Sequence, residues 1–347
     1  MNGVAYYSNL AMVTSAVIYL LAVAFHALEY ASLRSSAPSL PSVERASSSD
    51  ARAASERASA RRVASEPVLV PAEVAVGGGS VAVAEFSPYS PPDQPEQSPR
   101  TAQFARMGVA VTVVAVLVHV LAVVLRGIAA ERAPWGNMYE FITTSLALAG
   151  LVYLAGVLFF GLKGFGLPYA LLASIGQGLA VTVFYVNVSP LMPALHSVWF
   201  VIHIIAAALA GAVFNLAAIA CLLYLVKTRA EAKGSTAGYL ARLPKPEVLD
   251  RVSYRLTAFA FPLWTFAIAA GAVWAQYAWG RFWGWDPKET WSLVTWIVYA
   301  AYLHARATAG WKGRRAAILA LVGIVSFWWN FVGVNLVLNG LHSYAGI

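Results

Sequence analysis

Eight apolar runs, at about 8–30, 106–125, 138–161, 167–187, 199–226, 253–276, 291–309 and 315–338, constrain this 347-residue chain more than any other feature. A bilayer core of about 30 Å takes roughly 17–25 helical residues to cross, and each run is of that order. Backbone groups in lipid must be satisfied within their own segment. Runs of this length can do so only as helices, since barrel strands would be shorter and would alternate apolar with polar. The expected fold class is therefore all-α, a polytopic membrane helix bundle with about eight transmembrane helices. Composition agrees: 59% of residues are hydrophobic and 12% charged, which excludes a soluble globular domain.

Lysine and arginine counts predict the orientation. If the loop 31–105 is cytoplasmic, that side carries 20 of the 24 basic residues, leaving Arg126, Arg132, Arg281 and Lys288 on the other. Both termini would then face outward. The +8 net charge is accounted for by this asymmetry and implies no nucleic-acid partner. The sequence divides into a first transmembrane helix (1–30), a Ser-, Ala- and Pro-rich loop (31–105) and a transmembrane domain (106–347). The loop has too little apolar bulk to repay ordering, so it reads as a disordered cytoplasmic insertion, either a tether or a docking segment. The first run has no basic stretch before it, and no cleavable signal is expected.

One stretch departs from the apolar pattern. Residues 277–291, YAWGRFWGWDPKETW, combine Trp279, Trp283, Trp285 and Trp291 with Arg281, Asp286, Lys288 and Glu289. At a bilayer boundary such a segment is either a heavy interfacial belt or a platform for a flat apolar ligand with polar edges. Asp286, then Pro287, with Glu289 three residues after the aspartate, predicts a capped start for the seventh helix. Asn137 followed by Glu140 predicts the same for the third.

The chain has six histidines. His196 and His203 stand near the outer end of the fifth run and would share a face if that helix began early enough. His342 lies just beyond the eighth, so His203 and His342 flank the tryptophan segment from separate helices. That suits one iron held along its axis from both sides, with a porphyrin edge on indole rings and Arg281 or Lys288 pairing with a propionate. Two unrelated interfacial histidines are the alternative. His304 lies about 20 Å deeper, thirteen residues after Trp291. It cannot share a small ligand with the platform; it pairs either with His26, at a comparable inner depth, or with a residue of another subunit. The single cysteine, Cys221, can form no internal disulfide, and a CxxCH haem-attachment motif is absent.

WGRFWGWDPKETWSLVTW, then YLHAR and the NGLHSY end, closely resemble the CcsA/ResC family of cytochrome c biogenesis proteins, over about residues 106–347. The resemblance implies that the tryptophan segment, with Trp279, Trp283, Trp285, Asp286 and Trp291, binds haem b on the outer face of a cytoplasmic or thylakoid-type membrane. His203 and His342 match paired external ligands. His304 matches the ligand of a lower site completed by a CcsB/ResB-type membrane subunit. The implied activity is delivery of haem across the membrane and its thioether attachment to CxxCH thiols of apocytochrome c, as a subunit of a holocytochrome c synthase that is inactive without its partner. Thiol-reducing thioredoxin-like proteins are a further implied class of partner. Relatives often carry a histidine two residues before the proline of the NMYE region; here that residue is Arg132, and no ligand role passes to it. The alternatives are a haem handler serving a chaperone in another maturation system, a b-type electron carrier, and a transporter using histidines as proton relays.

Overall fold

The computed structural model describes residues 3–35, 98–234 and 238–342. The greater part of the 31–105 loop therefore lies outside the described residues, as do the last five residues of the chain. Eight long helices follow in order: α1 (Gly3–Ser35), α2 (Pro99–Ala130), α3 (Met138–Phe160), α4 (Gly166–Thr182), α5 (Val198–Ala232), α6 (Pro246–Trp279), α7 (Pro287–Ala307) and α8 (Arg314–Trp328). A π turn, Trp329–Gly333, carries α8 on into the short helix Val334–Val337. No strand occurs among the described residues.

The helix boundaries follow local chemistry. Ser98, Asn137, Ser197 and Asp286 each cap a helix through a side-chain oxygen, and Gly161 and Gly280 end α3 and α6 in the left-handed conformation. Among the described residues, seven helices are long and apolar enough to cross a membrane. The seventh of the expected spans, α7, is not among them. At 21 residues it has the length, but Lys288, Glu289, Thr290, Ser292 and Thr295 dilute its first three turns.

Helix α5 is the central element, with 83% of its most apolar window buried against 28% for that of α1. Its buried face is built from Ala206, Ala207, Ala210, Gly211, Ala217 and Ala220, small residues that let neighbouring helices approach without voids. Helix α6 packs along α5, α7 and α8 pack together, and α3 joins this group to the α1–α2 pair and α4. Along α1 the buried residues Ala5, Ser8, Met12, Ser15, Tyr19, Ala22 and His26 recur at alternating steps of three and four, a coiled-coil seam facing α2 and α4. His26 belongs to that seam. It bonds Thr112 Oγ1 at 3.2 Å and is 1% exposed, whereas His304 on α7 is exposed. His26 is thus engaged within the packing of α1 on α2 and α4.

Candidate functional site

The loops 131–137, 183–197 and 280–286 gather at one end of the bundle, where two helix starts share one design. At α7, Asp286 Oδ1 accepts from the Lys288 N–H (3.2 Å), and Glu289 Oε2 accepts from the N–H groups of Asp286 (3.1 Å) and Gly284 (2.8 Å). Arg281 closes the loop onto Glu289 at 3.3 Å. At α3, Asn137 Oδ1 accepts from the Glu140 N–H (2.9 Å), Glu140 Oε2 accepts from the Gly136 N–H (2.8 Å), and Arg132 closes the loop onto Glu140 at 2.7 Å. In both, an arginine stands five residues before the cap and a glutamate three after it. The α3 version is buried more deeply and extended: Arg126 Nε also donates to Glu140 (3.0 Å), while Arg126 and Arg132 donate to the carbonyls of Val186 and Ser189. One carboxylate thus ties two loops to the ends of α2 and α3.

The capping aspartate of α7 has a second task. Its Oδ2 accepts from the Leu341 N–H (2.7 Å) and its Oδ1 from His342 Nδ1 (2.8 Å), so the segment after α8 is docked on the start of α7. Burial pushes the Asp286 carboxyl up, but the bonds from His342, Leu341 and Lys288 outweigh it and hold the group below the usual carboxylate value. Burial likewise lowers the His342 imidazole below its ordinary value, against the pull of Asp286, which favours a neutral ring at pH 7. Asp286→Ala is expected to cost about 1 kcal/mol at the helix start and to release the docked segment. Amide exchange at Leu341 should then be much faster than in the unmodified protein; equal exchange would show that other contacts hold the segment.

His203, on the second turn of α5, is fixed in the same manner by a different acceptor. Its Nδ1 donates to the Ala267 carbonyl of α6 at 2.7 Å. The close approach depends on Gly271, where a Cβ would meet Nδ1 at 2.7 Å. A carbonyl or a carboxylate can only accept, so in both neutral imidazoles Nδ1 carries the proton and Nε2 the lone pair. Both rings pack on one indole: Trp274 lies 5.9 Å from His203, stacked at 18°, and 5.7 Å from His342, edge-on. Trp274 is itself 1% exposed and anchored by its Nε1–H to the Ala194 carbonyl at 2.8 Å. Trp279 completes the contact with His342 at 4.9 Å.

These groups line an aromatic cleft that is open at its mouth. Trp135, Phe141, Phe200, Trp264, Trp274, Trp279, Phe282, Trp283 and Phe331 form its walls, with His203 and His342 among them. Set beside this geometry, the comparisons with known proteins are specific. The family model described as "Cytochrome C assembly protein" matches residues 109–342. The chain belongs to the CcsA family of cytochrome c biogenesis proteins. It is similar to the "Cytochrome c biogenesis protein CcsA" of Guillardia theta, 36% identical over 263 residues covering 69% of this chain and 85% of the relative, and to that of Porphyra purpurea, 32% identical over 284 residues covering 71% and 89%. Over a shorter stretch of 117 residues, 34% of each chain, it is 59% identical to the protein of the same description from Gloeobacter violaceus.

Of the residues singled out by sequence in this CcsA-family chain, His203, His342, Trp279 and Trp283 line the cleft, and Asp286 stands behind His342. Trp285 has a left-handed backbone (φ 60°) that throws its ring outward, 68% exposed. Trp291 packs on Trp329 at 5.8 Å and is not part of the lining. His304 is exposed on α7, away from this cleft. His196 sits in the loop before α5, which begins only at Val198, so it does not share a helical face with His203. Trp274, Trp135 and Phe331 were not anticipated. The shared spacing of arginine, cap and glutamate would have paired the Trp135 loop with the tryptophan segment.

Proposed function

We propose that the cleft binds haem as substrate, clasped between His203 and His342, and presents it for attachment to apocytochrome c. The observation that carries this reading is the matched pair of imidazoles, each with Nδ1 tied to an acceptor and both seated on Trp274. An acceptor behind the ligating ring is the usual second shell of a metal-bound histidine, because it fixes the tautomer and raises ligand basicity. Among the described residues no group of three His, Cys, Asp or Glu comes together to hold a bare metal ion. An iron already held by four pyrrole nitrogens needs only two axial ligands, which this pair supplies.

In this reading the indoles exclude water from the macrocycle while the open mouth leaves one edge within reach of an acceptor protein. The thiols come from the acceptor. Cys221 is buried in α5 with its Sγ 2.8 Å from Ser253 Oγ, and it does not line the cleft. His304, exposed on α7, serves a lower haem site whose second ligand belongs to a CcsB/ResB-type partner subunit. The distribution of basic residues supports an extracytoplasmic cleft.

A reporter apocytochrome c should be matured when this chain is coexpressed with such a partner, and not by either alone. Maturation by this chain alone would refute the need for a partner. Failure of the pair, with both subunits in the membrane, would refute the attachment role.

A further inference from the structure

The ionisable groups lining the cleft are matched within the protein, with one exception. Glu289 is held by Arg281 and two backbone N–H groups, His203 by Ala267 and His342 by Asp286. Lys288 has no ion pair or hydrogen bond for its ammonium among the described residues; Nζ reaches over the Phe331 ring, 5.8 Å from its centroid. Asp286 acts on this charge from a distance, without an ion pair or hydrogen bond, so the ammonium keeps its donors for a ligand that brings an anion.

Two buried amides line the same cleft with atoms unused. Asn137 and Asn330 are each 7% exposed. Asn137 spends Oδ1 on the α3 cap, and its Nδ2 has no partner. Asn330 stands in the π turn that interrupts α8, a distortion that recurs at functional sites, and its Oδ1 has no partner either. Because an amide carries a donor and an acceptor on one planar tip, a half-turn about χ2 lets Asn330 offer Nδ2 in that place. Buried amide atoms without partners are costly, so these two beside the Lys288 ammonium mark a place for a polar ligand group.

We propose that Lys288, Asn137 and Asn330 form a carboxylate subsite of the cleft and take a propionate side chain of the haem. The inference rests on the haem reading of the cleft. One ammonium and two amide donors match the single charge and two oxygens of a carboxylate. Arg281, the other basic candidate of the tryptophan segment, is engaged by Glu289 and does not line the cleft. The subsite would fix which edge of an otherwise near-symmetric macrocycle enters the cleft, and so which edge meets the acceptor.

The test uses the full chain in detergent, freed of haem and titrated with iron protoporphyrin IX or with its dimethyl ester, which lacks the two negative charges. The unmodified protein should bind the free acid about tenfold more tightly than the ester, the scale of one charge-assisted contact. Lys288→Met should bring the two affinities within about twofold by weakening the acid alone. Asn137→Ser keeps the helix cap while deleting Nδ2, and should narrow the gap by an intermediate amount. Equal binding of acid and ester by the unmodified protein, or a tenfold gap that survives in Lys288→Met, would overturn the subsite while leaving the haem reading in place. Uptake of neither compound would overturn both.

Discussion

Replacing either His203 or His342 by alanine is expected to strip haem from the detergent-purified protein, and exogenous imidazole is expected to restore it. In the proposed clasp each ring would supply one axial nitrogen, so its loss would leave the iron with a single protein ligand. Loss of a second-shell partner alone typically costs about 10–100-fold in metal affinity, and loss of the ligand itself should cost at least as much. Free imidazole fits the space vacated by the ring. The acceptors behind each histidine, Ala267 and Asp286, remain to orient the added molecule through its N–H. His304→Ala should leave haem in this cleft unchanged, since that residue is not part of the lining. The check is the visible absorption of each purified variant with and without added imidazole. Full haem content in both cleft variants would make the axial assignment wrong.

The second large effect concerns the scaffold rather than the ligands. Glu140 is wholly buried and shared by Arg126, itself 2% exposed, and Arg132. Glu140→Ala would leave two guanidinium groups facing each other without a counter-charge, one of them buried. Removing one partner of a buried ion pair costs about 3–5 kcal/mol, and here two pairs share the carboxylate. The same change also frees the Gly136 N–H and loosens the anchorage of the 183–197 loop, which reaches Glu140 through the two arginines. The thermal midpoint in detergent should fall by roughly 10 °C. Glu289→Ala should be milder, because Arg281 is the more exposed partner and its ion pair is longer, at 3.3 Å. Equal midpoints for Glu140→Ala and the unmodified protein would show that the cluster does not hold the loops.

Lipid explains why so much of the architecture was legible in the sequence. A chain that must satisfy its backbone in hydrocarbon has few folds available, and the eight apolar runs correspond to eight helices. Hydropathy reads only the lipid-soluble part of each helix, however. It therefore stopped α1 at residue 30 and started α2 at 106 and α6 at 253, where the structure continues to Ser35 and begins at Pro99 and Pro246. The polar extensions keep their helical hydrogen bonds beyond the apolar core. The capped starts at Asn137 and Asp286 were legible because each is written in four adjacent residues.

The cleft was half legible. His203, His342, Trp279 and Trp283 stand out because histidine is scarce and the tryptophans are clustered. Trp274 and Asn330 do not, since a residue inside an apolar helix reveals its facing only when the neighbouring helix is known. The same limit applies to His26, whose depth is legible in the sequence but whose contact with Thr112 in the α1 seam is not. Trp285 shows the converse: its place in the motif implied a wall, and a left-handed backbone turns it out toward the surroundings.

The most direct test of the clasped-iron reading is low-temperature electron paramagnetic resonance of the full chain loaded with ferric haem. Two neutral imidazoles on one iron predict a single low-spin, six-coordinate species that vanishes in His203→Ala/His342→Ala. A high-spin spectrum in the unmodified protein, or a low-spin signal that persists in the double variant, would contradict it.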